Sequence, residues 1–290
     1  MKAFPLRHFT LACALSVFIP IQVRANETAL AIIDAGVQQS EDSPFVSTDY
    51  QFLPGDFVWT SFHISGFVVQ IDEEKQTRAI SLTYSVVPED ANGVALAEPV
   101  SGEIREQLSA EDKNWTPIRR MSFLLPSFVV AGDFHMHIAA KDLLGKAEVA
   151  KDVPFRIGGL HIKPAQSITA ENFRFLRDEN AREVLDIAAY QPGDTVFTDF
   201  DMVGFTVGQG NTYRVAYGVL VLGPDNKPFL DDPDAAKLSS SSFYPAQYVP
   251  GTLNITTKAA SLRGQYTIIL TVRDLISGKS SVTQRTFTLE

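Results

Sequence analysis

Residues 54–69 read PGDFVWTSFHISGFVV, and residues 192–207 read PGDTVFTDFDMVGFTV. They align without a gap at an offset of 138, matching Pro54/Pro192, Gly55/Gly193, Asp56/Asp194, Val58/Val196, Thr60/Thr198, Phe62/Phe200, Gly66/Gly204, Phe67/Phe205 and Val69/Val207. Within the first stretch Val58, Thr60, Phe62 and Ile64 alternate with Trp59, Ser61 and His63. Val196, Thr198, Phe200 and Met202 repeat the pattern in the second. Alternation with period two over eight residues is the mark of a β-strand with one buried face. The preceding Pro-Gly-Asp is turn chemistry in both places.

Working outward, residues 132–143 (GDFHMHIAAKDL) match residues 264–275 (GQYTIILTVRDL) at an offset of 132. Phe134, Met136, Ile138 and Ala140 alternate as Tyr266, Ile268, Leu270 and Val272 do. Two blocks in the same order with similar spacing identify a duplicated module of roughly 130 residues. Turn signals punctuate the apolar runs at Asp90-Ala91-Asn92-Gly93, Gly223-Pro224-Asp225-Asn226 and Ile276-Ser277-Gly278-Lys279. Only Glu179 to Ile187 reads partly helical, and Ser239 to Ser242 reads as a flexible connection. About seven short strands per copy favour an antiparallel β-sandwich, hence an all-β chain of two tandem sandwiches. Copy one ends near Ile157 and Gly158-Gly159 supplies the hinge, which puts the modules at 26–158 and 159–290. Each is expected to fold cooperatively on its own.

The closing segment of the second copy, Gly264-Gln265-Tyr266 through Val272-Arg273-Asp274 and on to Thr286-Phe287-Thr288, resembles the last two strands of immunoglobulin-like and fibronectin-III-like modules. In those modules the Tyr of Gly-x-Tyr ties a corner through its hydroxyl. The first copy departs from the pattern with Phe134, which has no hydroxyl to donate. Neither the Cys pair of antibody domains nor the acidic calcium motifs of cadherins are present. The whole pattern resembles tandem Ig-like proteins exported by bacteria, a resemblance that implies a fold but no defined activity.

The first 25 residues read as a secretory signal peptide. Lys2 and Arg7 form a basic segment, Thr10 to Ile19 is apolar, and Val23-Arg24-Ala25 supplies a cleavage site after Ala25. A retained anchor is the alternative, although the apolar run falls short of the ~20 residues a span needs. Cleavage would make the product periplasmic or extracellular and would remove Cys13, the only cysteine among 290 residues. Thiolate catalysis, thiolate metal sites and disulfides then have no place in the mature chain. The net charge of −9 becomes −12 when Lys2, Arg7 and Arg24 leave, with 22 basic against 34 acidic residues. That balance argues against a nucleic-acid partner, because phosphate recognition needs a basic face. Residues 26–157 hold 20 acidic and 10 basic side chains, whereas residues 158–290 hold 14 and 12. The acidity lies in the first copy. No second run of membrane length exists.

Candidate sites are sparse. His135-x-His137 places two imidazoles on one strand face, and His63 is a third metal ligand if its strand lies in the same sheet. The duplicate has Thr267, Ile269 and Asp201 at those places, so the fold does not need the metal. Asp72-Glu73-Glu74 and Asp231-Asp232-Pro233-Asp234 carry calcium-type oxygens but lack the spacing that wraps one ion, and read as exposed loops. No Gly-x-Ser-x-Gly elbow and no phosphate-cradling loop appear, and nothing singles out a carboxylate pair. Trp59 and Phe197 hold equivalent outward positions, and Trp115 sits in a charged loop; outward aromatics anchor proteins or stack on sugars. Tyr244, Tyr248, Pro245 and Pro250 flank the serine run and suggest a peptide-docking edge. Asn114-Trp-Thr and Asn254-Ile-Thr are glycosylation acceptors in a eukaryotic secretory pathway. The reading is an exported, non-catalytic binding or structural protein without a cofactor, its partner an unknown protein or polysaccharide. The alternatives are a carbohydrate-binding module and a metal-dependent hydrolase built on the three histidines.

Overall fold

The computed structural model describes residues 23–24, 29–74, 77–109, 111–112, 115–179 and 183–290. The expected leader lies outside them except for Val23 and Arg24. The chain is all-β: the described residues hold no α-helix, only a single 3-10 turn at Gln209–Asn211. None of them forms a helix long and apolar enough to cross a membrane.

In the first half the strands are β1 (Val23–Arg24), β2 (Ala31–Gln38), β3 (Gln51–Phe52), β4 (Phe57–Ser65), β5 (Val69–Asp72), β6 (Thr77–Asp90), β7 (Val100–Ser109), β8 (Ile118–Leu124), β9 (Gly132–Asp142) and β10 (Glu148–Ile157). Strands β2-β4-β8 form one sheet. The facing sheet runs β3-β10-β9-β6-β7, with β5 and β1 added on the β6 side. The second half repeats the plan with β11 (Thr169–Leu176), β12 (Ala189–Tyr190), β13 (Thr195–Val203), β14 (Thr212–Leu222), β15 (Pro228–Ser241), β16 (Tyr248–Thr256), β17 (Gly264–Asp274) and β18 (Ser280–Leu289). Its sheets are β11-β13-β16 and β12-β18-β17-β14-β15. All neighbours are antiparallel except β3/β10 and β12/β18, the same parallel pair in both halves. This strand order is that of immunoglobulin-like sandwiches.

The repeated residues explain the repeated strands. Asp56 and Asp194 each use a carboxylate oxygen to accept the backbone N–H three residues back, at Leu53 and Gln191, both at 2.8 Å. Gly55 and Gly193 supply the left-handed backbone that this turn requires, with φ of 87° and 108°. Along β4 and β13, Val58, Phe62, Ile64, Val196, Phe200 and Met202 are fully buried. Each such side chain contributes about 1.5–3 kcal/mol of apolar transfer. Thr60 and Thr198 are buried beside them because their hydroxyls donate to Gly36 O and Leu253 O. In the opposite sheet Phe134 stacks on Phe155, and Tyr266 stacks on Phe287 at the equivalent place. The Tyr266 hydroxyl donates to Leu262 O at 2.8 Å and closes the expected corner.

A second repeated lock was not anticipated from the sequence. Asp142 and Asp274 end β9 and β17 and are 1% and 2% exposed. Asp142 accepts the N–H of Val68 and Leu144; Asp274 accepts those of Thr206 and Ile276 and the Ser277 hydroxyl. Each carboxylate ties the loop after the Pro-Gly-Asp strand to the last hairpin. Burial works to raise Asp274, but the bonds from Ser277, Thr206 and Ile276 outweigh it and hold the carboxyl well below the usual range.

Two local expectations fail. The described part of Glu179–Ile187 is not helical: Val184 bridges Leu176, and Leu185 N donates to Phe175 O. Pairing with an open strand edge overrides a weak helical preference. Ser239–Ser241 are not a flexible connection either, since they pair with Arg214, Tyr213 and Thr212. A ladder needs backbone groups, and small polar side chains do not prevent it.

Candidate functional site

An open trough lies on the outer face of the large sheet in the first half. Ser101, Ser85, Ala139 and Ala150 fall in one register row across β7, β6, β9 and β10. The next row holds Glu103, Thr83, Lys141 and Glu148, with Lys141 and Glu148 ion-paired. Small side chains beside long ones leave a trough of about 710 Å³. Its rim is charged, and the bond and charge of Lys141 hold Glu148 below the usual carboxylate range.

On the other side of the small row stand the two histidines. His137 Nδ1 lies 2.7 Å from Asp152 Oδ1 on β10, and His135 Nε2 lies 3.3 Å from Glu89 Oε2 on β6. The carboxylates come from opposite neighbours, so the imidazoles are drawn apart rather than towards a shared ion. His63 belongs to β4 in the facing sheet, where its Nδ1 is 3.1 Å from Thr116 Oγ1. The condition for a third ligand is therefore not met, because the two strands lie in different layers. Among the described residues no group of three His, Cys, Asp or Glu side chains is placed to hold a metal ion.

The same face is covered over β14 in the second half, although Val282, in the place of Ala150, stays exposed. Gly218 and Thr271 take the places of Ser85 and Ala139, and β15 slips register between Tyr217 and Val219. The slip lays Pro233 on the sheet: a Cβ on Gly218 would sit 2.3 Å from Pro233 O. Asp234 then bonds Arg273 at 2.6 Å and Lys237 at 3.3 Å, and the outward Ala216 is fully buried. Asp231–Asp234 thus belong to a bulged strand rather than to a loop, and Asp234 is neutralised by cations of this chain. Asp72 closes β5, with Glu73 and Glu74 in the turn beyond it.

The aromatic candidates do not gather. Trp59 and Phe197 are half-buried on equivalent outward positions of β4 and β13, one in each half. Trp115 is 37% exposed in the β7–β8 loop. That loop enters β8 opposite His63, four residues or about 13 Å along β4 from Trp59. Tyr244 and Tyr248 line no open peptide edge, for both are used where the halves meet. Tyr244 is 3% exposed and packs into the first half's core, although it comes from the β15–β16 loop. Its hydroxyl donates to Asp90 Oδ2 at 3.1 Å and accepts from Gln247 Nε2 at 2.6 Å. Burial and the Asp90 carboxylate raise the Tyr244 phenol strongly. Phe128 packs edge-on against Tyr248 at 6.2 Å.

Sequence reasoning missed both the small-residue row and the Tyr244 contact. Each strand of the row shows a small outward residue, but the register between β6, β9 and β10 is set by tertiary pairing.

No protein-family model matches the chain, and no curated protein matches it. Among solved structures, the chain is similar to the C-terminal domain of the Streptococcus pyogenes antigen I/II-family protein AspA. The identity is 11%, coverage is 88% of this chain and 98% of that one, and the TM-score is 0.28. The C-terminal domain of the Streptococcus agalactiae AgI/II polypeptide BspA gives 12% identity, 88% and 99% coverage, and a TM-score of 0.28. Red sea bream transglutaminase gives 9% identity over 91% of this chain and 32% of that one, with a TM-score of 0.25. At these values the likeness does not extend past the general β-sandwich kind.

Proposed function

We propose that this chain is an exported, non-catalytic protein that acts by surface recognition, with the outer face of β7-β6-β9-β10 as its recognising surface. The carrying observation is the difference between two faces of one duplicated fold. In the second half the chain covers the β14 part of this face with its own bulged strand. In the first half it leaves an open trough beside the Lys141–Glu148 ion pair. The charge imbalance of the first half supports a partner with basic groups. The test is affinity capture from the native envelope or medium with the wild-type chain and with Ala139→Arg, which fills the trough from an outward position. The wild type should retain a partner that the variant loses; equal capture by both would remove the trough from the reading.

A polysaccharide-binding role is the second reading, supported by the exposure of Trp115. Quenching or a blue shift of tryptophan emission on adding polysaccharides separates it from the first.

A further inference from the structure

The contact between the halves is made by the two opposite ends of one repeated sandwich. From the first half come Asp90, the last residue of β6, and Phe128, in the β8–β9 loop. From the second half comes the β15–β16 loop, which brings Tyr244, Gln247 and Tyr248 onto them. Because the fold is duplicated, the loops on each side of this contact have counterparts at the other ends of the molecule, with different residues at the contact positions.

The second socket is at the far end of the second half. Asp90 N donates to Val94 O and Asp90 O accepts from Gly93; Gly223 makes the same two bonds with Lys227 and Asn226, so Gly223 stands where Asp90 stands. Val129 N donates to Pro126 O as Ser261 N donates to Lys258 O, which places Ala260 where Phe128 is. Gly223 and Ala260 both line an open pocket of about 380 Å³, together with Phe229, Leu262 and Tyr266. Asp90 and Phe128 of the existing contact are here replaced by glycine and alanine, and Leu262 is 58% exposed. The second plug is at the near end of the first half. Ile118 pairs with His63 as Pro250 pairs with Asp201, so Trp115 occupies the position of Gln247, which lies within the existing joint, while Asp112 and Thr116 stand at the positions of Tyr244 and Tyr248. Trp115 is exposed, and Glu111 and Asp112 precede it. The pocket carries Lys258 and the Lys227–Asp225 pair. With Lys113 counted against Glu111 and Asp112 the loop is still net negative, opposite in sign to Lys258.

We infer that the pocket at the far end takes Trp115 of a second copy of this chain, so that molecules join through the same two ends of the sandwich that meet inside one chain. The interface is heterologous, so it grows head-to-tail into an open chain instead of closing as a twofold dimer. This assignment concerns the ends of the molecule and is independent of the sheet face proposed above. Within one chain the linker supplies an effective concentration on the order of millimolar. Separate copies lack it and associate more weakly.

The test is sedimentation velocity of the full chain from low micromolar to ~1 mM, a range that detects association down to about 4 kcal/mol. The wild type should show a concentration-dependent series of species that shrinks with added salt. Trp115→Ala and Leu262→Glu, both at exposed positions, should each abolish the series while melting like the wild type. Mixed together they should form a one-to-one pair that does not grow, because one keeps the pocket and the other keeps the plug. A monomer at every concentration overturns the inference, as does a series that survives either substitution or a mixture that stays monomeric.

Discussion

Two buried aspartates of the second half show how environment, not residue type, decides the sign of a charge's contribution. Asp274 is lowered because its hydrogen bonds outweigh its burial. Its stabilisation is therefore complete above the unfolded value near 3.9 and is lost as pH falls through the lower folded value. Asp274→Asn should lower stability at pH 7 by about 2–4 kcal/mol, since an amide turns an N–H towards donors that need an acceptor. In urea titrations the gap to wild type should narrow as pH falls below ~4. Asp201, 3% exposed, is raised by burial despite a 3.0 Å bond from Asn172. There the folded state binds the extra proton, so stability grows as pH falls through the raised value. Asp201→Asn keeps an acceptor for Asn172 and removes the penalised charge. It should raise the melting temperature at pH 7, and the gain should fade in acid. A lower melting temperature at pH 7 would contradict this account.

At the scale of elements, the two halves differ in single interactions set on the same frame. The Tyr266 corner has no counterpart at Phe134, so the first half already shows that the sandwich closes without it. Tyr266→Phe should keep the ring stack on Phe287 and cost about 0.5–1.5 kcal/mol, the net value of one hydrogen bond. Equilibrium unfolding measures it directly, and a loss above ~3 kcal/mol would mean that the ring itself had been displaced. Gly204 is held at φ 70°, and a Cβ there would meet Ser167 O at 2.5 Å, which is why the repeat keeps glycine at 66 and 204. The strands and their turns were legible from alternation and Pro-Gly-Asp. The bulge in β15 was not, because nothing local in Asp231–Asp234 says that Pro233 will lie on Gly218.

For the whole molecule the decisive contact is Tyr244, a side chain of one half buried in the core of the other. Tyr244→Ala should destabilise the first half although the substitution lies in the second, by about 3–5 kcal/mol for a buried ring. Calorimetry should then separate the first half's unfolding to lower temperature, and protease should reach the segment around residues 158–166 sooner. A single unshifted transition would show that the ring contributes nothing across the joint. Residues 26–158 taken alone lack that ring, so their independent folding depends on how well the vacated site collapses. Residue alternation and turn chemistry were enough to specify the duplication, the all-β class, the buried faces of β4, β9, β13 and β17 and the turns that begin β4 and β13. Those depend on neighbours two to four residues apart, where side-chain alternation and backbone conformation act directly. Three-dimensional pairing alone set His63 in a different sheet from His135 and His137, covered one sheet face over β14 while leaving its duplicate open, and placed Tyr244 in the other core. Each of these depends on which strands pair and in what register, and that is settled by the packing of segments far apart in the chain.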